Sequence, residues 1–230
     1  MSTSSPGRRP PASGRRPGAV LAGGLLALGL FAAGCGGRSG TAAPAASTGG
    51  AAAGAALRGL VPKPLPAKPS FTLTDDRGRR FGFAQATRGK LVYLYFGYTH
   101  CPDACPLTMS DIAAALRRQA PATRGKIEVV FVTVDPARDT PAVLRRWLRR
   151  YDASFVGLTG TLSRIRAAER AAGAPLAAPE KPAGAAYAVQ HSTLVFAYSP
   201  DGRAHVVYAD GFTARDYAHD MPILVGFASG

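Results

Sequence analysis

The chain has 230 residues, of which 47% are hydrophobic and 18% charged, with three cysteines and a formal net charge of +14 at pH 7. That apolar content supports a sizeable core and excludes a wholly disordered chain. The positive balance suits an anionic surface: lipid headgroups, acidic proteins or nucleic acid.

The N-terminus narrows those choices. Arg8, Arg9, Arg15 and Arg16 precede an uncharged apolar run, Ala19–Phe31, and small residues follow it. A basic region, a short apolar region and small residues predict a secretory signal over residues 1–34. The run is shorter than the ~20 residues that a membrane span takes. Ala32-Ala33-Gly34-Cys35 resembles a bacterial lipobox, with Ala32 where a large aliphatic residue is usual. That resemblance implies a lipid on Cys35 and a domain held on the outer face of the cytoplasmic membrane. Export argues against nucleic acid as a partner. With Cys35 assigned to lipid, Cys101 and Cys105 remain, an even count in a compartment where cysteine pairs can oxidise. Residues 35–69 are rich in Gly, Ala and Pro and predict a flexible tether, stiffer over Val61–Pro66. The folded domain is expected over residues 70–230.

Within that domain, Phe71–Thr74 and Arg79–Phe83 flank the turn Asp75-Asp76-Arg77-Gly78 and read as a hairpin. Leu91–Phe96 predicts a buried strand. Leu107–Gln119 carries Met109, Ile112, Ala113 and Leu116 at helical spacing. Ile127–Val134 is a second buried strand. Thr140 is placed to cap a helix whose first residue is Pro141. That helix puts Val143, Leu144, Trp147, Leu148 and Tyr151 on one face and Arg145, Arg146, Arg149 and Arg150 on the other. A further helix is expected over Thr161–Ala172, then a Pro/Ala-rich loop over Ala174–Ala186. Thr193–Tyr198 and Arg203–Tyr208 flank the turn Ser199–Gly202 as a second hairpin, and Thr213–Phe227 is the last helix. Strands alternating with helices imply an α/β fold: a central mixed sheet flanked by helices, with an N-terminal β-hairpin. The order is thioredoxin-like.

The chemistry concentrates at Cys101 and Cys105. Pro106 and the helical pattern beyond it place Cys105 at or near a helix N-terminus, where free N–H groups and the helix dipole favour a thiolate. In helical geometry the four-residue spacing puts both cysteines on one face, within reach of a disulfide. A structural disulfide closing so small a loop gains little chain entropy, so a working pair is the stronger reading. Thiol-exchange enzymes of this fold use Cys-x-x-Cys and keep a Pro before the later central strand. This chain has Cys-x-x-x-Cys, and Val189-Gln190-His191-Ser192-Thr193 contains no Pro. It offers His191 instead. Two thiolates and one imidazole suit copper(I), and also copper(II), whereas structural zinc normally takes a fourth protein ligand. Thiol exchange with an exported partner stays open as the alternative.

Four segments then resemble the SCO/SenC family: Tyr98–Thr108 around the cysteines, Val134–Pro141, Val156–Gly160 and Val189–Ser192. The resemblance implies a thioredoxin-like domain with one copper per chain, held by Cys101, Cys105 and His191. It also implies a reversible Cys101–Cys105 disulfide and a role in metallating or assembling the copper site of cytochrome c oxidase. The implied partners are the copper-site subunit of that oxidase and other copper chaperones or thiol reductants. Many relatives carry Asp before the histidine, where this chain has Gln190.

The remaining candidates are expected to be structural. His100 adjoins Cys101 and reads as a neighbour rather than a ligand, because adjacent loop residues seldom reach one metal. His205 and His219 have no cysteine near them. Asp135 and Asp139 could serve the site or simply form the turn before the helix. Asp103 between the thiols could adjust their charge.

Overall fold

The computed structural model describes residues 56–179 and 187–227. The signal, Cys35 and the tether up to residue 55 lie outside the described residues.

The first hairpin forms as expected from β1 (Thr72–Asp75) and β2 (Arg80–Gly82), paired antiparallel. Asp75 closes the turn by accepting from the backbone N–H groups of Arg77 and Arg79. The second strand stops short of Phe83. Phe83 instead opens a single-turn helix, α1 (Phe83–Ala86), and is fully buried, stacked on Phe71 and edge-on to Tyr198. β3 (Leu91–Gly97) is buried along its whole length, as an apolar run in mid-sheet should be. α2 (Ala104–Arg117) follows, and α3 (Pro121–Arg124) is a short turn that apolar periodicity does not reveal.

β4 (Ile127–Thr133) leads to α4 (Pro141–Leu148), whose N-cap Thr140 accepts from Val143 N–H with Pro141 in the first position. Leu144, Trp147 and Leu148 of α4 are buried, while Arg146, Arg149 and Arg150 are exposed. Arg145 is half-buried and donates to the Asp76 carbonyl, 2.7 Å away. β5 (Val156–Thr159) is a strand too short to read from the sequence, and Gly157 lets α4 press on it through Leu144 and Leu148. α5 (Leu162–Ala172) is capped by Thr161 and ends at Gly173 in the left-handed region. β6 (Ala178–Pro179), inside the stretch expected to be loop, pairs over two residues with β7 (Val189–Gln190) beyond it. The hairpin β8 (Val195–Tyr198) and β9 (Ala204–Tyr208) and the final helix α6 (Ala214–Val225) complete the order.

The sheet runs β2-β1-β5-β4-β3-β8-β9. β3, β4 and β5 are parallel; β8 pairs antiparallel with β3 and β1 antiparallel with β5, so the sheet is mixed. One face carries Tyr93, Tyr95 and Phe131. It is covered by α2, α4 and α6, through Cys105, Trp147 and Tyr217 respectively. Tyr198 on the other face meets Phe83.

The domain also begins earlier than composition indicates. Leu60 and Ala67 bridge to Val207 and Arg203 on the β9 edge, and Arg58 and Gly59 donate N–H groups to buried Asp220. The end of the expected tether is therefore part of the fold. Its contacts are made by backbone, which a search for apolar periodicity does not register.

Candidate metal centre

The site lies where β3 ends and α2 begins. Gly97 closes β3, and a Cβ there would come within 2.6 Å of Cys105 Sγ and 2.9 Å of the Tyr95 ring. Only glycine leaves room for the sulfur. Cys105 is the second residue of α2 and fully buried. Cys101 is not on the helix, contrary to the helical-face geometry the spacing suggests. The chain turns through residues 101–103 and brings Cys101 Sγ back to within 3.4 Å of Cys105 N–H. The sulfur thus satisfies one of the helix's free N-terminal donors. Asp103 is the N-cap and accepts from Ala104 N–H at 2.7 Å.

Both thiols are free in this structure, so it describes the reduced pair. Their environments differ. Cys101 is held well below the usual thiol value, at about 5, chiefly because the Cys105 thiol and then its backbone N–H hydrogen-bond the thiolate. Burial pushes Cys105 far above the ordinary range, and the neighbouring Cys101 charge adds to it. The surroundings thus favour negative charge on Cys101 and the proton on Cys105.

His191 comes from the loop between β7 and β8. Its Nδ1 lies 3.0 Å from the Phe96 carbonyl and 2.9 Å from the Ser192 carbonyl. Carbonyls only accept, so Nδ1 carries a proton, and Nε2 is the ring nitrogen left to face the sulfurs. Nε2 is 3.5 Å from Cys105 Sγ. Tyr95 and Tyr98 stand edge-on to the imidazole, with ring centroids 6.1 and 5.5 Å away. The three ligand atoms of Cys101, Cys105 and His191 all lie within 4.8 Å of one another. This is the set expected from sequence, and its geometry fits a soft ion: two sulfurs and an imidazole nitrogen converge, with the other ring nitrogen held by carbonyls.

The other candidates fall outside this cluster. His100 is exposed, its Nδ1 beside Thr99 Oγ1. His205 pairs with Asp201 and stacks on Phe227, and His219 meets Asp220. The two aspartates of the turn after β4 are both buried and both engaged. Asp139 accepts from Thr99 N–H, Thr99 Oγ1 and Thr133 Oγ1, which ties the cysteine loop to β4. Asp135 is bonded to Arg138 and Tyr187. Sequence reasoning named the aspartates without finding these partners; it placed Tyr98 and Arg138 in family segments and Tyr95 in a strand without a role at the site, and did not single out Tyr187. Only Gly97, just before the motif, carried a usable signal of close approach. Gln190 is exposed, and its backbone pairs with Ala178.

Fold and site together define a thioredoxin-like protein whose Cys-x-x-x-Cys pair and distant histidine converge as a set that could hold a metal ion. The SCO1/SenC family model matches residues 62–225, and the chain belongs to that family. It is 37% identical over 133 residues to the mitochondrial protein SCO2 homolog of Bos taurus, a match that spans 57% of this chain and half of that protein. The copper-bound ScoI of Bradyrhizobium japonicum superposes with a TM-score of 0.63 at 29% identity, over 69% of this chain and 99% of its own. A SCO1/SenC family lipoprotein of Bacillus anthracis str. Ames superposes with a TM-score of 0.58 at 26% identity, over 74% and 99%.

Proposed function

We propose that the chain is a copper carrier that holds one copper ion on Cys101, Cys105 and His191 and helps supply the copper site of cytochrome c oxidase. The convergence of three soft donors, with His191 Nε2 turned toward the sulfurs, carries this reading. The copper-bound relative of the same fold supports it. Copper supplies strong thiolate and imidazole bonding here; the protein supplies a preset triangle, one ready thiolate and a mostly buried pocket. The Cys101–Cys105 disulfide is the metal-free oxidised form in this scheme. Export and a lipid on Cys35 place the carrier on the outer face of the cytoplasmic membrane; the N-terminal pattern and the lipoprotein relative support this part. Mass spectrometry of membrane-extracted protein tests the lipid.

Anaerobic copper(I) titration tests the carrier. One equivalent should bind tightly to the reduced chain, and His191→Ala should lose that tight binding while both thiols still titrate. Unchanged stoichiometry and affinity in His191→Ala would overturn the assignment.

A second reading rests on the unequal thiols. A stabilised thiolate at Cys101 beside a protonated Cys105 is the arrangement of an attacking and a resolving thiol. The chain would then reduce a disulfide in an exported partner, becoming oxidised at Cys101 and Cys105 itself. Cys105→Ser should trap a mixed disulfide through Cys101; no trapped partner counts against this activity.

A further inference from the structure

His191 follows directly on the short strand β7. β6 and β7 pair over two residues each, a ribbon that is marginal in isolation. Three side chains outside the ligand set converge on this segment. Arg138 Nε donates to Asp135, and a second guanidinium nitrogen donates to the Tyr187 carbonyl at 3.0 Å. The guanidinium carbon sits 3.7 Å from the centre of the Tyr187 ring and 5.6 Å from that of Tyr98. Tyr187 OH donates to the other Asp135 oxygen at 2.7 Å. Asp135, Arg138 and Tyr187 thus close a ring of charge-assisted hydrogen bonds around one aromatic face. Two residues on, Val189 N–H donates to Tyr98 OH at 3.3 Å, and His191 follows.

Asp135 is 4% exposed. A buried ion pair is weak evidence for stability, because desolvation offsets most of its attraction. Its geometry is better explained by what it holds. The same turn sends Asp139 to the cysteine loop and Asp135 with Arg138 to the histidine segment. One rigid turn therefore registers both halves of the ligand set against each other.

We infer that Arg138, with Asp135 and Tyr187, is a positioning clamp for His191: it fixes the segment so that the imidazole faces the thiols, and raises copper affinity without touching the ion. The inference rests on the copper reading of Cys101, Cys105 and His191.

The test uses the 230-residue chain with Tyr187→Phe, Arg138→Gln and Arg138→Lys. The first measurement is made on reduced, metal-free protein. Amide exchange at Val189 should rise about tenfold in Tyr187→Phe and in Arg138→Gln, the size of one coupled contact. The single Nδ1–H tautomer of His191 should give way to a mixture in ring-nitrogen NMR. Arg138→Lys should lie between, since it keeps the charge and loses the fork. The second measurement is copper(I) affinity against a chromophoric chelator. Tyr187→Phe should weaken it about tenfold, yet change nothing in a His191→Ala background. Unchanged Val189 exchange and His191 signals in Tyr187→Phe would overturn the clamp, as would an equal affinity loss in the His191→Ala background. Should Arg138→Gln fail to fold, Tyr187→Phe decides alone, because it removes one hydroxyl and keeps the ring. Should the wild type bind no copper, the copper reading fails, while exchange and ring signals still decide the clamp.

Discussion

At Cys101 a small geometric choice sets the chemistry. The residue stands before α2 rather than on it, so its sulfur faces the first N–H groups of the helix, and Cys105 N–H lies 3.4 Å away. A free donor and the positive helix end both favour negative charge there. The Cys105 thiol contributes most, and the pKa of Cys101 falls from 9.0 to about 5. Buried Cys105 moves the other way. The sign of the consequence is definite: a lowered thiol pKa means that the thiolate persists as pH falls. In the reduced, metal-free protein, alkylation at Cys101 should stay nearly constant from pH 8 to pH 6 and drop only near pH 5. Cys105 should react slowly throughout. Mass-resolved alkylation with iodoacetamide measures both. A rate at Cys101 that already falls between pH 9 and pH 8, as for an ordinary thiol, would contradict the asymmetry.

Between elements, the site depends on one connection, the turn from β4 to α4. Its two neighbouring polar residues do different work. The Thr140 side chain caps α4 by accepting from Val143 N–H. Asp139, fully buried, accepts three hydrogen bonds, two of them from Thr99 in the cysteine loop at 2.9 and 2.6 Å. Losing a helix cap costs about 1 kcal/mol. Losing a buried carboxylate leaves several donors unpaired, at about 1–3 kcal/mol for each one kept from water. Asp139→Ala should therefore lower unfolding free energy by at least ~2 kcal/mol, whereas Thr140→Ala should lower it by about 1 kcal/mol. The two should separate further at the site: Asp139→Ala frees the loop and speeds Cys101 alkylation or weakens copper binding, and Thr140→Ala leaves both as they are. Urea unfolding combined with alkylation rates checks this. Equal behaviour of the two variants at Cys101 would show that Asp139 does not hold the cysteine loop.

Across the whole chain, what could be read in advance follows a physical division. Cys101, Cys105 and His191 were legible because soft donors at a helix start and before a central strand are rare and chemically specific. The central strands and the long helices were legible from apolar runs and helical spacing. The Arg138–Tyr187 contact was not, because it joins residues 49 apart through an interaction that leaves no local pattern. The domain start was misplaced for a related reason. Residues 57–69 look like linker, but they dock by backbone. Leu60 N–H donates to Val207 O at 3.0 Å and Val207 N–H to Leu60 O at 2.8 Å; Ala204 N–H reaches Pro66 O at 2.8 Å. Gly59 lies so close to Val206 and Tyr208 that a Cβ would not fit. Arg58 and Gly59 N–H groups both end on Asp220, which is fully buried and also accepts from Tyr208 OH. A chain cut to begin at residue 70 therefore loses two hydrogen bonds to a buried carboxylate, each worth about 1.5–3 kcal/mol. It also uncovers the β9 edge, which invites pairing with other chains. A chain beginning at residue 56 keeps all of these contacts. The shorter form should unfold about 3 kcal/mol more easily in urea and associate as concentration rises, while the longer one should match the 230-residue chain. If both forms unfold at the same urea concentration and stay monomeric, residues 57–69 are a passive linker after all.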